Sequence, residues 1–546
     1  MGTKESVERS LRRLALVAAW LSIFLVVGWL LARLWTPSYP QISFKTSEGV
    51  AGQIILGAQP SLLDCRQAAS QISQAFATVC PTCSVPYSRC VFELSEQQKI
   101  IIGRAPNEFA VCLNQCTLML APTLAEPARV PCQLFSQGGL GNCLGRPDKL
   151  VSAAKTAGPG SGPSLSELLV KGLIPFLASL FFGLLIMLTA PLHHRWTADH
   201  PAAGVQKLHA RLVSRVGGLA LVFGAIAPLG WLIFESSFQV NPSNWLSQGQ
   251  HSGTAVLQLL IIASLPAFIF GLLEDLTGRV SVFARLFATL ASAAVAWWLS
   301  DLSIERLDVP PLDALLVFAP VSVAFTLFAV AGIANAMNII DGLHGLASGV
   351  GALALGALGV LAWTVGDHAL ASATFLLLAA TAGFFVLNYP WGRLFLGDGG
   401  AYLLGFWLAW LSVLLVARNP DVSPWACLLI IVYPVTEVLY SIKRRLALKL
   451  HFGRPDRDHL HSLIKTNGVA IRFPHHPIDW QNALATPGLW FFAAVPMAIA
   501  VLYYSEPILL VSMAVAFAGA YFLIYRYFRD LQPPTAVSIG LPPGKL

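Results

Sequence analysis

A polar stretch between two apolar runs, each about 20 residues long, holds side chains able to do chemistry. It offers two amides, a carboxylate and an imidazole, from Asn335, Asn338, Asp341 and His344. Polar and ionisable groups at membrane depth are costly, and they usually mark a site. The neighbouring Gly342 lets the backbone approach a ligand closely. Taken alone, however, this stretch is equally consistent with an ordinary polar loop.

Four further polar loops carry residues of the same kinds. The residues in them that could bind or react are, in chain order, Lys207, His209 and Arg215; Glu274 and Asp275; Asn388 and Asp398; and His459 and His461. Each loop alone has an ordinary explanation, because basic residues set topology, paired acids end helices and histidines lie on surfaces. Five such loops on one side of a membrane would instead indicate a shared site.

The composition indicates a polytopic helical membrane protein. The chain has 546 residues, of which 55% are hydrophobic and only 12% are charged. Apolar runs long enough to span a bilayer recur from residue 166 onward, and with a run at 14–35 they predict about twelve spans. The predicted fold class is therefore all-α, with about twelve transmembrane helices and one disulfide-rich extracytoplasmic insertion. The net charge of +7 does not indicate nucleic acid, because no basic stretch is interleaved with aromatic residues.

The same patterns divide the chain into four parts. These are a signal-anchor helix (1–36), an extracytoplasmic cysteine-rich segment (37–165), a multi-span domain (166–530) and a cytoplasmic tail (531–546). A cleaved signal peptide is the alternative for the first part, although no clear cleavage site follows it. Eight of the nine cysteines lie between Cys65 and Cys143, which favours disulfides in an oxidising compartment over a metal site. The role of this segment cannot be read from its residues.

The distribution of basic residues predicts the orientation. Loops 191–215 and 443–486 are rich in lysine and arginine, whereas the alternate short loops hold almost none. By the positive-inside rule the basic loops are cytoplasmic. This register places both termini and all five polar loops in the cytoplasm, and it places residues 37–165 outside.

Such a set of loops has the parts for phosphoryl transfer. Carboxylates from separate loops can hold Mg²⁺, which prefers one or two of them together with substrate phosphates and water. Cationic side chains can neutralise phosphate oxygens, and the backbone N–H groups of residues 397–400 can form an anion nest. Positioning and charge neutralisation supply most of the catalysis in that chemistry. Zinc is disfavoured, because the histidines lack i, i+4 pairing and no cytosolic cysteines accompany them.

At these residues the chain resembles the polyprenyl-phosphate N-acetylhexosamine-1-phosphate transferase superfamily, or glycosyltransferase family 4. The resemblance covers roughly residues 170–530, with the motifs in the family's order. The positions that match are Lys207, His209, Arg215, Gly217, Gly218, Asp275, Asn335, Asn338, Asp341, Gly342, Gly345, Leu346, Gly397, Asp398, Gly400, His459 and His461. The departures are Ser214 for proline, Glu274 and His344 for aspartates, Ala401 for serine and Ser462 for histidine.

The resemblance implies transfer of a sugar-1-phosphate from a UDP-N-acetylhexosamine to undecaprenyl phosphate at the cytoplasmic face of a bacterial inner membrane. It implies release of UMP, initiation of a cell-surface glycan and a need for Mg²⁺, with Mn²⁺ as an alternative. It makes Asp398 the metal ligand, and Asp275, Glu274 and Asp341 the catalytic carboxylates. The expected substrate-binding residues are Lys207, His209, Arg215, Asn335, Asn338, His344, Asn388, His459 and His461.

Three alternatives stay open at this point. A transporter or flippase would need ionisable residues at mid-span, whereas the four carboxylates lie at predicted span ends. An inactive relative acting as a sensor or scaffold would fit the departures at His344, Ala401 and Ser462. Within the enzyme class, a peptidoglycan lipid I synthase is disfavoured because the cytoplasmic loops look closer to the N-acetylglucosamine-1-phosphate branch. A homodimer is an open alternative, whereas the UDP-sugar, the glycan pathway and any extracytoplasmic partner are not predicted.

Overall fold

The computed structural model describes the larger part of the chain. The described residues are 39–45, 51–56, 84–91, 109–113, 116–120, 165–199, 212–235, 253–447 and 458–531. They fall into two compact units, one containing the N-terminal strands and the other nearly all of the helices. The predicted anchor at 14–35 and the tail at 531–546 lie outside these residues, except for Leu531.

The N-terminal unit contains a five-stranded antiparallel sheet. Its strands are β1 (Tyr39–Lys45), β2 (Ala51–Leu56), β3 (Ser84–Val91), β4 (Phe109–Leu113) and β5 (Cys116–Leu120), in the order β3-β1-β2-β4-β5. Apolar positions align across the strands, with Ile42 opposite Ile54, Ile54 opposite Val111 and Val111 opposite Leu118. These strands were not predicted, because the cysteines are the dominant pattern in the sequence of this segment. The all-α description therefore applies only to the helical unit.

The predicted disulfides lie outside what the structure describes. Three of the clustered cysteines, Cys90, Cys112 and Cys116, are strand residues, but their side chains are not among the described atoms. Disulfide pairing in this segment stays a prediction.

The helical unit follows the predicted apolar runs closely. Its helices are α1 (Leu165–Leu188), α2 (Ala190–Thr197), α3 (Gly218–Glu235), α4 (Gly253–Thr277), α5 (Val282–Ser300), α6 (Pro310–Leu316), α7 (Ala319–Ile339), α8 (Leu346–Thr364), α9 (His368–Asn388), α10 (Gly397–Arg418), α11 (Pro424–Ile430), α12 (Val432–Ala447), α13 (Leu460–Leu463), α14 (Ala470–Arg472), α15 (Ile478–Leu502) and α16 (Pro507–Asp530). A two-stranded pair, β6 (Ala198–Asp199) with β7 (Val213–Ser214), precedes α3, and a π-helical turn, Ile464–Val469, follows α13.

The protein is a multi-pass membrane protein. Among the described residues, nine helices are long and apolar enough to cross a bilayer, and a tenth span results if α11 and α12, bent by 78°, count as one. The apolar part of α3 is shorter. Because the run at 14–35 is not described, the total of about twelve spans stays a prediction.

Helix α10 forms the centre of the helical unit. It packs against α3, α4 and α7, and its side chains are buried along nearly its whole length, including Trp407 and Trp410. Close backbone contact brings its first turn against α4, since a Cβ added to Gly271 would lie 2.6 Å from the Cα of Gly399. A helix surrounded in this way has a fixed position, so the groups around its N-terminus are fixed as well.

Candidate active site

Asp275 caps the N-terminus of α10. This carboxylate, 2% exposed at the end of α4, accepts the backbone N–H of Asp398 on Oδ1 and that of Gly399 on Oδ2, both at 2.9 Å. The first N–H groups of a helix have no partner within the helix, and the helix dipole favours negative charge there. Gly397, with φ of +75°, makes the turn into the helix in a conformation that glycine adopts readily. The sequence expectation assigned Asp275 to catalysis, and that role stays a prediction.

Arg215 closes the opposite side of this junction. Its Nε donates to the carbonyl oxygen of Asp275 at 3.0 Å and its Nη2 to that of Glu274 at 3.5 Å. A cation at the C-terminus of α4 complements the helix dipole. The Glu274 carboxylate accepts the backbone N–H of Val280 at 2.7 Å, which closes the loop into α5. The two acidic residues of this motif thus both take part in holding the junction between α4, α5 and α10.

Asp398 forms an ion pair with Arg285, which was not among the predicted site residues. The guanidinium Nη1 of Arg285, on α5, donates to Oδ2 of Asp398, and the two side chains are 18% and 26% exposed. A sequence signal existed, because Arg285 is a lone cation near the start of an otherwise apolar predicted span. The predicted metal ligand therefore faces both solvent and an internal cation.

Asp341, in the loop between α7 and α8, joins the same cluster. Its carboxylate accepts the backbone N–H of Gly397. Burial and, next, the negative charge of Asp398 raise the pKa of Asp341 to about 7, against the opposing effect of that hydrogen bond. The structure thus brings Asp275, Asp341 and Asp398, which are distant in sequence, around the first turn of α10.

The shifted pKa of Asp341 gives a pH-dependent prediction for stability. Because the pKa of Asp341 is raised in the folded protein, its carboxyl group contributes to the free energy of unfolding in full below the ordinary pKa near 4. That contribution is lost as the pH rises through 7. At pH 8, in detergent buffer that contains a chelator, we expect Asp341→Asn to unfold at a higher temperature than the natural protein. Its free energy of unfolding should be larger by on the order of 2 kcal/mol. At pH 4 the two should unfold alike. An equal difference at both pH values would contradict a buried, repelled carboxylate.

One of the two histidines of the last loop lies beside Gly342, the residue that follows Asp341. His461 is 3% exposed, and its Nε2 lies so close to Gly342 that a Cβ there would overlap it. The His459 and His461 rings are stacked, with centroids 5.4 Å apart and planes 4° apart. His459 Nδ1 lies 3.0 Å from Oε1 of Glu437, a buried carboxylate on α12. Glu437 was not among the predicted site residues, although it is an acid within a predicted apolar run.

The expected amide and third histidine positions have mostly internal partners. Asn388 accepts from Gly345 N and Ser348 Oγ and donates to Leu394 O, all at 2.8 Å. Asn335 donates to Thr289 Oγ1 and to the Ala331 carbonyl.

In a separate contact, His344 is buried with Nδ1 3.2 Å from the Pro390 carbonyl. Asn338 is half-buried in the last turn of α7. Lys207 and His209 lie outside the described residues, so their placement is untested.

The arrangement can bind and orient anionic groups near a hard cation. Negative and positive groups lie close together at the ends of four helices: the carboxylates, two arginines and the N-terminus of α10. Such an arrangement suits phosphate groups bound together with a metal ion. No group of three or more histidine, cysteine or acidic residues suited to a metal occurs among the residues that the structure describes. Mg²⁺ does not require such a cage when substrate phosphates complete its ligands.

Comparison with known proteins agrees with this chemistry. Residues 257–416, which include the three aspartates, match the family model described as glycosyl transferase family 4. A probable undecaprenyl-phosphate N-acetylglucosaminyl 1-phosphate transferase of Bacillus subtilis (strain 168) is 25% identical over 317 residues, covering 56% of this chain and 81% of that protein. The undecaprenyl-phosphate alpha-N-acetylglucosaminyl 1-phosphate transferases of Yersinia pestis and Escherichia coli O157:H7 are 30% and 31% identical over 203 and 220 residues.

These last two matches cover 36% and 39% of this chain, and the chain spans 54% and 59% of the two relatives. The matched part runs from within α4 to within α10 and includes the three aspartates of the acidic cluster. The superfamily predicted from the motifs is thus confirmed. Residues 257–416 are similar to glycosyl transferase family 4, and the chain is similar to undecaprenyl-phosphate N-acetylglucosaminyl 1-phosphate transferases.

Proposed function

We propose that this protein transfers an N-acetylhexosamine-1-phosphate from a UDP-sugar to undecaprenyl phosphate, releasing UMP, at the cytoplasmic face of the bacterial inner membrane. The observation that carries the proposal is the convergence of Asp275, Asp341 and Asp398 at the N-terminus of α10. All three lie at or near the ends of apolar helices, where a lipid phosphate and a soluble nucleotide can meet. The names of the relatives support the transfer of a sugar-1-phosphate to undecaprenyl phosphate.

The reaction needs one phosphorus–oxygen bond to form and one to break. An oxygen of the lipid phosphate would bond to the phosphorus that carries the sugar, and the bond from that phosphorus to UMP would break. Three phosphates meeting in one site need positive charge from the protein. Arg285, beside Asp398, supplies such a charge there. The first N–H groups of α10 are already bonded to Asp275 and Asp341. Asp275 and Arg215 hold the helix ends in place, so that the charges stay oriented during the reaction.

The residues present fit a magnesium ion. Asp341 and Asp398 repel each other across the first turn of α10, which is why the Asp398 charge contributes to the raised pKa of Asp341. A divalent cation between two such carboxylates removes that repulsion, and oxygen ligands are the ones that Mg²⁺ and Mn²⁺ prefer. We propose Asp398, assisted by Asp341, as the holder of Mg²⁺, with Mn²⁺ as an alternative. When bound, the ion supplies charge neutralisation at the phosphates.

The test is a panel of sugar donors. We expect purified protein in lipid nanodiscs with undecaprenyl phosphate and Mg²⁺ to release UMP from UDP-N-acetylglucosamine or another simple UDP-N-acetylhexosamine, and to form the matching lipid-linked sugar. Omission of the lipid phosphate is the control, and it should abolish UMP release. Turnover confined to UDP-N-acetylmuramoyl-pentapeptide would indicate the peptidoglycan reaction instead. No UMP release from any donor would contradict the proposal and favour an inactive relative.

A further inference from the structure

Glu437 is a buried carboxylate to which neither the motifs nor the proposed chemistry gives a task. It lies on α12, is 1% exposed and packs near the aromatic rings of Tyr433 and Tyr521. Its Oε1 has two partners from the histidine loop, His459 Nδ1 at 3.0 Å and the backbone N–H of Leu460 at 3.1 Å. Burying a carboxylate is costly unless its partners compensate. Both partners of Oε1 belong to the loop that carries His459 and His461.

The hydrogen bond fixes more than the position of one ring. When the Nδ1 of an imidazole donates to a carboxylate, the hydrogen bond fixes the tautomer, with a proton on Nδ1. It also fixes the orientation of the ring. The near-parallel stack carries that orientation from His459 to His461. On its far side, the Nε2 of His461 lies against Gly342, next to Asp341 in the loop of the acidic cluster. His461 is therefore held between the ring of His459 and the Gly342 backbone.

His461 is suited to hydrogen bonding as a neutral ring. Burial, with a smaller contribution from His459 and against the effect of Glu437, lowers the pKa of His461 to about 4. A neutral imidazole has one donor and one acceptor nitrogen, so its use depends on which way the ring faces. A change in its orientation would therefore weaken whatever contact it makes with a bound donor.

We propose that Glu437 is a positioning residue for the donor substrate: through His459 and the ring stack it fixes the His461 Nε2 beside Gly342. This inference rests on the proposed function. It places His459 and His461 between Glu437 and the nucleotide-sugar, and it leaves Glu437 no contact with the lipid phosphate. Loss of the charge should then affect the kinetics of the donor and not those of the lipid acceptor.

The first test is Glu437→Gln, which keeps the shape and an acceptor oxygen but removes the charge. We expect kcat/KM for the UDP-sugar to fall about tenfold to a hundredfold, the range found when partners that orient a histidine are removed. The KM for undecaprenyl phosphate should stay within about twofold of the natural value. Glu506→Gln, an exposed glutamate before α16, is the matched control and should change neither constant.

A double-mutant cycle separates positioning from general stability. If Glu437 acts through His459, then Glu437→Gln should have no further effect on donor kcat/KM in a His459→Phe background. Additive losses would overturn the proposal, as would equal rises in KM for both substrates. Gly342→Ala, which displaces His461 from the opposite side, should reproduce the donor-specific loss if Glu437→Gln does not fold. An unmodified protein that turns over no donor refutes the proposed function and this inference together, whereas normal turnover by Glu437→Gln refutes this inference alone.

Discussion

Asp398→Asn is expected to lower kcat for sugar-phosphate transfer at least about 1000-fold while the protein stays folded. The substitution keeps the size of the side chain and an oxygen that can accept from Arg285, but it removes the negative charge that faces Asp341. Loss of one preorganised electrostatic contact costs about 100-fold to 1000-fold in typical enzymes, and loss of a metal ligand adds to that. The measurement is UMP release at saturating donor and lipid.

A second readout separates metal binding from other effects of this substitution. Binding of Mn²⁺, followed by electron paramagnetic resonance with the donor present, should be at least about tenfold weaker in Asp398→Asn than in the natural protein. Asp421→Asn, an exposed aspartate beyond the other end of α10, is the matched control and should bind Mn²⁺ normally. Unchanged kcat in Asp398→Asn would remove the central residue of the proposed site. Unchanged Mn²⁺ binding would show that residues other than Asp398 hold the ion.

The helical part of the fold was predictable because the bilayer restricts the choices. A backbone in lipid must satisfy its own hydrogen bonds, so each long apolar run can only be a helix. Every predicted run between residues 168 and 526 corresponds to a helix or, at α11 and α12, to a bent pair. The sheet of the N-terminal unit has no such restriction. Its short strands carry weak alternation, and the cysteine spacing drew attention to disulfides instead.

The residues that make up the candidate site were more predictable than their geometry. Ionisable residues at span ends are rare enough that Asp275, Asp341 and Asp398 stood out. The contacts that each of these aspartates makes could not be predicted, because the partner residues come from distant segments of the chain. Arg285, the ion-pair partner of Asp398, lies 113 positions away from it, and Glu437, the hydrogen-bond partner of His459, lies on a helix earlier in the chain. A motif gives residue types at fixed spacing and contains no information on which atoms of another helix approach it.

Asp275→Asn is expected to lower both stability and turnover, and to lower them together. An asparagine side chain can accept one of the two N–H groups at the start of α10, but its own amide hydrogens then face the other. Leaving a buried donor unsatisfied costs about 1–3 kcal/mol. Because these N–H groups belong to Asp398 and Gly399, the same loss moves the proposed metal ligand. We expect a lower unfolding temperature in detergent and a fall in kcat of about 100-fold or more.

Glu274→Gln is the matched control, since its one hydrogen bond to the Val280 N–H survives the loss of charge. It should unfold near the natural temperature, because an amide oxygen accepts that N–H as well as a carboxylate oxygen does. A capping role for Asp275 and a catalytic role then lead to different results. If Asp275 acted only as the base for the lipid phosphate, Asp275→Asn would lose turnover at an unchanged unfolding temperature. Loss of both indicates that this carboxylate acts by holding α10, because the first turn of that helix carries the charge on which the chemistry depends.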